Sequence, residues 1–153
     1  MPFDLEAYKQ RVSSGGCFIC QLPEEEYLYD DGEHIAFLSH YPTMPGYALV
    51  SPRKHLEHIV RDLDLDAYLR LQAVVYKVAK AIEAVVPSER TYVLSLGSQQ
   101  GNRHIHWHIA PLPPGTPPEE QQYHALMGEN GIIAWSPEQA AELRAKIRSK
   151  LNA

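Results

Sequence analysis

The sequence predicts an α+β domain: a mainly antiparallel sheet of about five strands, packed with one long helix and followed by a C-terminal helix. Three observations carry this. Between Tyr27 and Ser51 lie short strand-like runs joined by tight turns, which favours antiparallel pairing. A long segment then places apolar residues at steps of three and four. Two further strand-like runs follow it. At 153 residues the chain is expected to form one domain, residues 1–153. A domain of this size buries roughly 70% of its unfolded surface and needs no disulfide to fold.

Each element has a local reason. Phe3 to Val12 can form a short helix, ended by Ser13-Ser14-Gly15-Gly16. Tyr27-Leu28-Tyr29, His34 to Leu38 and Tyr47 to Ser51 read as strands, with Asp30-Asp31-Gly32 as a hairpin turn and Pro42 and Pro45-Gly46 in a loop. Asp62 and Asp64 are candidate N-caps of the long helix, which runs to about Val86 and is stopped by Pro87. Its buried face is Tyr68, Leu71, Val75, Val78, Ile82 and Val85. Thr91 to Leu96 and His104 to Ala110 read as strands around a polar loop, Gly97 to Arg103. A stiff exit, Pro111 to Pro118, precedes Ser136-Pro137-Glu138-Gln139, a capped start for a helix using Leu143, Ile147 and Leu151.

Composition excludes several classes of function. Fourteen basic against nineteen acidic residues give a net charge of −5, which argues against a general binder of nucleic-acid polymers or anionic membranes. No apolar run approaches the ~18 residues of a membrane span. Met1 to Gln10 does not read as a signal peptide, so a cytoplasmic location is expected. The two cysteines, Cys17 and Cys20, are no disulfide framework.

Three of the eight histidines fall within five residues. Strand periodicity puts His104, His106 and His108 on one face and Ile105, Trp107 and Ile109 on the other. The apolar face is expected against the long helix and the histidine face on display. At ~3.3 Å per residue, the first and third histidine backbones stand roughly 13 Å apart. Metal–nitrogen bonds are about 2 Å, so the three cannot share one ion. The strand therefore does at least two jobs.

His104-Ile105-His106-Trp107-His108-Ile109-Ala110 resembles the histidine-triad (HIT) motif, His-x-His-x-His followed by two apolar residues. Cys17-Phe18-Ile19-Cys20 resembles the Cys-x-x-Cys of the zinc-containing bacterial branch. His34 to Leu38, Pro42, Pro45-Gly46 and Tyr47 to His55 resemble the family's strand–loop–strand ending in Pro-(Lys/Arg)-Lys-His. The likeness covers roughly residues 17–111, leaving residues 112–153 as a proline-rich exit and C-terminal helix. It implies a HIT-like fold and a nucleotidyl hydrolase or transferase. The substrate would be a nucleoside phosphoramidate, a dinucleoside polyphosphate or a related phosphoester, cleaved through a covalent phosphohistidine. The implied nucleophile is His106, with its second ring nitrogen donating to the His104 carbonyl, and His108 contacts the phosphate or assists the leaving group. Ser39, Gln100 and Asn102, with Arg103 less secure, are candidate nucleotide or phosphate contacts. The alternative is a zinc-stabilised nucleotide- or phosphate-binding module with little turnover.

Taken alone, Cys-x-x-Cys fits a redox pair, half a metal site or two small buried residues, and the absence of a βαβ pattern counts against the first. The resemblance supplies the other half: a structural zinc on Cys17, Cys20, His55 and His104. It also implies a homodimer that pairs the long helices and neighbouring strands. The chain departs from the family pattern at four places. Ser39 replaces a ribose-binding acid, Tyr47 the histidine of Pro-Gly-His, Gly101 a Ser/Thr before the triad, and Leu112 an arginine. A serine cannot accept from two ribose hydroxyls as a carboxylate can.

Overall fold

In the computed structural model, residues 4–99 and 102–153 are described. Helix α1 (Leu5–Ser14) is N-capped by the Asp4 side chain, which accepts from the Ala7 amide. Strands β1 (Tyr27–Asp30) and β2 (His34–Leu38) form the expected hairpin. Its turn is tied by carboxylates: Asp30 accepts from the Gly32 amide and Asp31 from the Glu33 amide, each at 2.9 Å. Strand β3 (Ala48–Pro52) starts one residue later than expected, because the Tyr47 amide is turned back onto the Met44 carbonyl.

After the short helix α2 (Ile59–Asp62) comes the long helix α3 (Leu65–Glu83). Asp64 is its cap, accepting from the Ala67 amide at 2.8 Å. Asp62 instead closes the loop before α2 by accepting from the Glu57 and His58 amides. The helix ends at Glu83, short of the expected Val86. The Val85 and Val86 amides both turn onto the Ile82 carbonyl, and Pro87 bars a helical residue before it.

Strands β4 (Arg90–Leu94) and β5 (Trp107–Leu112) complete an antiparallel sheet in the order β1-β2-β3-β5-β4. The exit after β5 carries a short helix, α4 (Tyr123–Leu126), and leads to α5 (Pro137–Leu151), capped at Ser136 by the expected reciprocal bonds with Gln139. One sheet face meets α3 and α5: Leu71, Val74, Val78 and Ile82 pack with Ala36, Val50, Trp107, Ile109, Ile147 and Leu151. Each fully buried Leu or Ile there contributes about 2 kcal/mol. On the other face, Ile19 and Leu22 of the cysteine-bearing segment pack on Ile35 and Phe37.

One expectation is overturned by the burial of the histidines. The histidine face is not on display: His104 and His106 are only 1% and 5% exposed. The strand expected from His104 also begins later, at Trp107. Its ladder with β3 ends at Val50 opposite Trp107, because Pro52 has no amide to continue it. Residues 104–106 are held by other bonds instead: the Ile105 amide donates to the Leu56 carbonyl at 2.8 Å, and the Ser51 hydroxyl to the Ile105 carbonyl at 2.9 Å. At its far end β5 runs two residues beyond the expected Ala110. Pro111 is tolerated there because it lies past the last pair with β3.

Candidate functional site

The metal donors come from three segments. Cys17 and Cys20 sit on the tight turn over Ile35 and Phe37, His55 follows β3, and His104 precedes β5. The His104 Nε2–H donates to the Pro52 carbonyl at 2.8 Å, so its Nδ1 carries the lone pair. That Nδ1 stands 3.3 Å from Cys17 Sγ and 3.5 Å from Cys20 Sγ, and His55 Nδ1 is 3.5 Å from Cys20 Sγ. All four donor atoms lie within 4.8 Å of one another. A tetrahedral zinc with bonds of about 2.3 Å to sulfur and about 2.05 Å to nitrogen needs sulfur–nitrogen edges of about 3.5 Å. The site therefore fits such an ion. Its outer contacts fit too: His55 Nε2 meets the Glu57 carboxylate at 3.2 Å, His104 holds Pro52, and the Cys20 amide donates to Cys17 Sγ.

Next to it is the second pair. His106 donates Nδ1–H to the His104 carbonyl at 2.7 Å, leaving the lone pair on Nε2. Burial pulls this imidazole below its ordinary pKa and so favours the neutral ring. The His108 ring lies 4.9 Å from it, centroid to centroid. Burial, then the charge of His106, lowers His108 to about 4. Its Nδ1 is 2.9 Å from the Tyr47 hydroxyl, its buried Nε2 completes no hydrogen bond of full geometry among the described residues, and the nearby Leu96 carbonyl favours a proton on the ring.

The remaining candidates are less concentrated. The Ser39 hydroxyl accepts from the Tyr41 amide at 3.1 Å, and the Ser39 amide donates to the Tyr47 carbonyl. Ser39 is thus tied by its backbone to the residue that touches His108. Asn102 accepts from the Ser98 amide and hydroxyl, bracing the loop. Arg103 reaches the Gln99 carbonyl at 3.4 Å. Gln100 and Gly101 lie outside the described residues. A cleft of about 940 Å³ is lined by Asn102, Arg103, His104, Cys17 and His55, together with Lys9 and Tyr8 of α1; His106 does not line it. It opens over the metal donors.

Two functional supports were not anticipated from the sequence. Ser51 holds the carbonyl before His106, and the Ser95 hydroxyl donates to the carbonyl of His106 itself at 2.6 Å. The only available signal was a serine inside the apolar run of β3; nothing in spacing marked Ser95.

Comparison with known proteins agrees with this geometry. The family model for the HIT domain matches residues 23–114, more than half of the chain. An uncharacterized HIT-like protein of Saccharolobus solfataricus is 28% identical over 102 residues, 62% of this chain and 73% of that one. The crystal structure of a hypothetical histidine triad nucleotide-binding protein from Sulfolobus tokodaii superposes with a TM-score of 0.71 at 25% identity, covering 89% of this chain and 92% of that one. A zinc-bound histidine triad family protein from Mycobacterium smegmatis shares the fold, with a TM-score of 0.66 at 19% identity over 89% and 93% of the two chains. With the triad leading into β5 and the family's sheet and helices around it, the chain belongs to the HIT domain family.

Proposed function

We propose that the protein is a nucleotidyl hydrolase or transferase that forms a covalent phosphohistidine at His106. Its substrate would be a nucleoside phosphoramidate, a dinucleoside polyphosphate or a related phosphoester. The observation that carries this reading is the His106 Nδ1–His104 carbonyl bond, which leaves a neutral, pre-oriented Nε2 lone pair without help from any carboxylate. Nε2 attacks phosphorus, the nitrogen–phosphorus bond forms as the bond to the leaving group breaks, and water later returns the histidine. His108 contributes a hydrogen-bond donor to the phosphoryl group or the departing atom. Asn102, Gln100 and Ser39 are the nucleotide contacts of this reading. The chain's acidity is no obstacle, because local donors stabilise the transition state rather than net charge. A zinc ion held by Cys17, Cys20, His55 and His104 supplies a structural cross-link between the N-terminal segment and the sheet.

The decisive experiment is His106→Ala assayed on nucleotide conjugates, with mass spectrometry for a phosphohistidine adduct in the wild type. An enzyme loses several orders of magnitude in turnover while keeping ligand affinity. Equal activity of variant and wild type, or no adduct and no turnover with any conjugate, would leave a binding module.

The reading includes a homodimer. Leu65, Leu69 and Tyr76 are exposed along the outward flank of α3, away from its buried residues Leu71, Val74, Val78 and Ile82. On edge strand β4, Val93 is also exposed. A second copy would cover both the flank and the strand edge. Light scattering should return twice the chain mass, and Tyr76→Glu should lower it; a wild-type monomer at micromolar concentration ends this part. No helix among the described residues is long and apolar enough to cross a membrane.

A further inference from the structure

Tyr47 stands where the family's motif commonly has histidine, and it touches the third triad histidine. Its hydroxyl is 2.9 Å from His108 Nδ1 and has no other partner among the described residues. The ring is 8% exposed and packed with Met44 and Ala110, with Tyr92 and Leu126 of the adjoining segments against them. The two rings meet edge to face at 5.8 Å. Two proton arrangements are possible. If His108 carried its proton on Nδ1, it would donate to the phenol oxygen. The phenol's own hydrogen would then be buried without an acceptor, and the Nε2 lone pair would face the phosphate oxygens. Both consequences are unfavourable. If the phenol donates to Nδ1, its hydrogen is satisfied and Nε2–H is left over. That Nε2 is the buried nitrogen that completes no hydrogen bond of full geometry among the described residues, with the Leu96 carbonyl close enough to favour a proton on this ring and the His106 ring 4.9 Å away.

We infer that Tyr47 is the positioning residue that locks His108 as the Nε2–H tautomer, making it a fixed hydrogen-bond donor to the reacting phosphoryl group. The inference deepens the phosphohistidine reading and rests on it for its catalytic meaning. Burial raises the phenol to about 12, so Tyr47 keeps its proton at neutral pH. It also makes Tyr47 a poor source of protons. If His108 passed its Nε2 hydrogen to the leaving atom, Nδ1 would have to take the Tyr47 proton and leave a buried phenolate. The pair is therefore suited to leaving groups that depart as stable anions and keep their electron pair unprotonated. Acid anhydrides of phosphate fit this description. Amines and alkoxides, which need a proton to leave, fit it less well. His106 Nε2 forms the bond to phosphorus, the bridging oxygen leaves with the electron pair, and His108 stays protonated on Nε2 throughout.

The test is a nitrogen-15 NMR spectrum of the uniformly labelled, full-length protein at pH 7, with Tyr47→Phe and Tyr47→His beside it. The wild-type His108 should show protonated Nε2 and an accepting Nδ1. In Tyr47→Phe this preference should be lost, and in Tyr47→His it should return in part. On a dinucleoside polyphosphate, Tyr47→Phe should lower kcat by roughly tenfold with KM little changed, since one orienting bond is removed. Wild-type activity on the anhydride should exceed that on an alkylamine phosphoramidate. A wild-type His108 protonated on Nδ1, or a tautomer unmoved in Tyr47→Phe, overturns the inference, and the wild-type spectrum decides even if a variant does not fold. The spectrum is independent of turnover, so failure of the enzyme reading under His106→Ala remains a separate result.

Discussion

Ser51→Ala isolates the support beneath the reactive segment. Ser51 is fully buried, and its hydroxyl donates to the Ile105 carbonyl where the β3–β5 ladder has already stopped. The variant removes that bond, a net loss of about 1 kcal/mol, and leaves a buried carbonyl without its donor, a further penalty of about 1 kcal/mol or more. The expected destabilisation is therefore about 2 kcal/mol, or roughly 4–8 °C in Tm for a chain of this length. Ser149→Ala is the matched control. Its hydroxyl also donates to a carbonyl, that of Lys146, but on the exposed side of α5, where the loss should stay within about 0.5 kcal/mol. Thermal melts at fixed protein and zinc concentration compare the two, because bound ligands and assembly shift Tm. If Ser51→Ala melts within about 0.5 kcal/mol of wild type, or Ser149→Ala falls as far, the argument that a serine replaces the missing ladder bond is wrong.

Three other outcomes follow from separate parts of the molecule. Gly46 has φ +80° and an added Cβ would lie 2.9 Å from Val86 Cγ2, so Gly46→Ala should cost about 2–4 kcal/mol. Gly32, at φ +85° in open space, should cost only the backbone share of about 1–2 kcal/mol, and equal melts for the two alanine variants would contradict the packing argument. The Asp30 carboxyl is held down to about 2 by hydrogen bonds from Arg53 and the Gly32 amide. Its proton binds more weakly in the folded state, so its stabilisation is complete above the unfolded value near 3.8 and fades as pH falls through about 2. For a pair this accessible to solvent the effect is under ~1 kcal/mol; melts of Asp30→Asn should trail wild type at pH 6 and converge with it toward pH 2. Metal analysis should find about one zinc per chain, lost in Cys17→Ser/Cys20→Ser; retention in the double variant would remove these cysteines from the ligand set.

Much of this architecture was legible because local chemistry and global packing agree. The Asp30-Asp31-Gly32 turn, the α3 periodicity and the Ser136 capping box each specify the element that forms. The cysteine pair alone left its role open; the resemblance to the HIT family named His55 and His104 as the other donors, and the four converge. The histidine segment was not legible, for two physical reasons. Periodicity records which residues share a face but not whether that face is covered, so the burial of His104 and His106 was invisible. Strand propensity likewise cannot see that Pro52, distant in sequence, ends the partner ladder and leaves His104 to His106 held by Ser51, Leu56 and Ser95. The Tyr47 substitution was visible as a departure; its contact with His108 needed the loop to close.

His104 belongs to two sites at once. Its ring is clamped by the Pro52 carbonyl and faces the two sulfurs, while its own carbonyl fixes the His106 ring. The wiring between the cysteine turn and His106 is thus one residue long: imidazole, Cβ, Cα and carbonyl, with a sulfur contact at one end and a hydrogen bond at the other. No lever, hinge or relay of packed side chains intervenes to absorb a disturbance. A disturbance that tilts that imidazole, from a lost sulfur to an oxidised one, is expected to shift the His104 carbonyl and with it the His106 ring, so the state of the N-terminal turn and the aim of His106 are coupled through one residue.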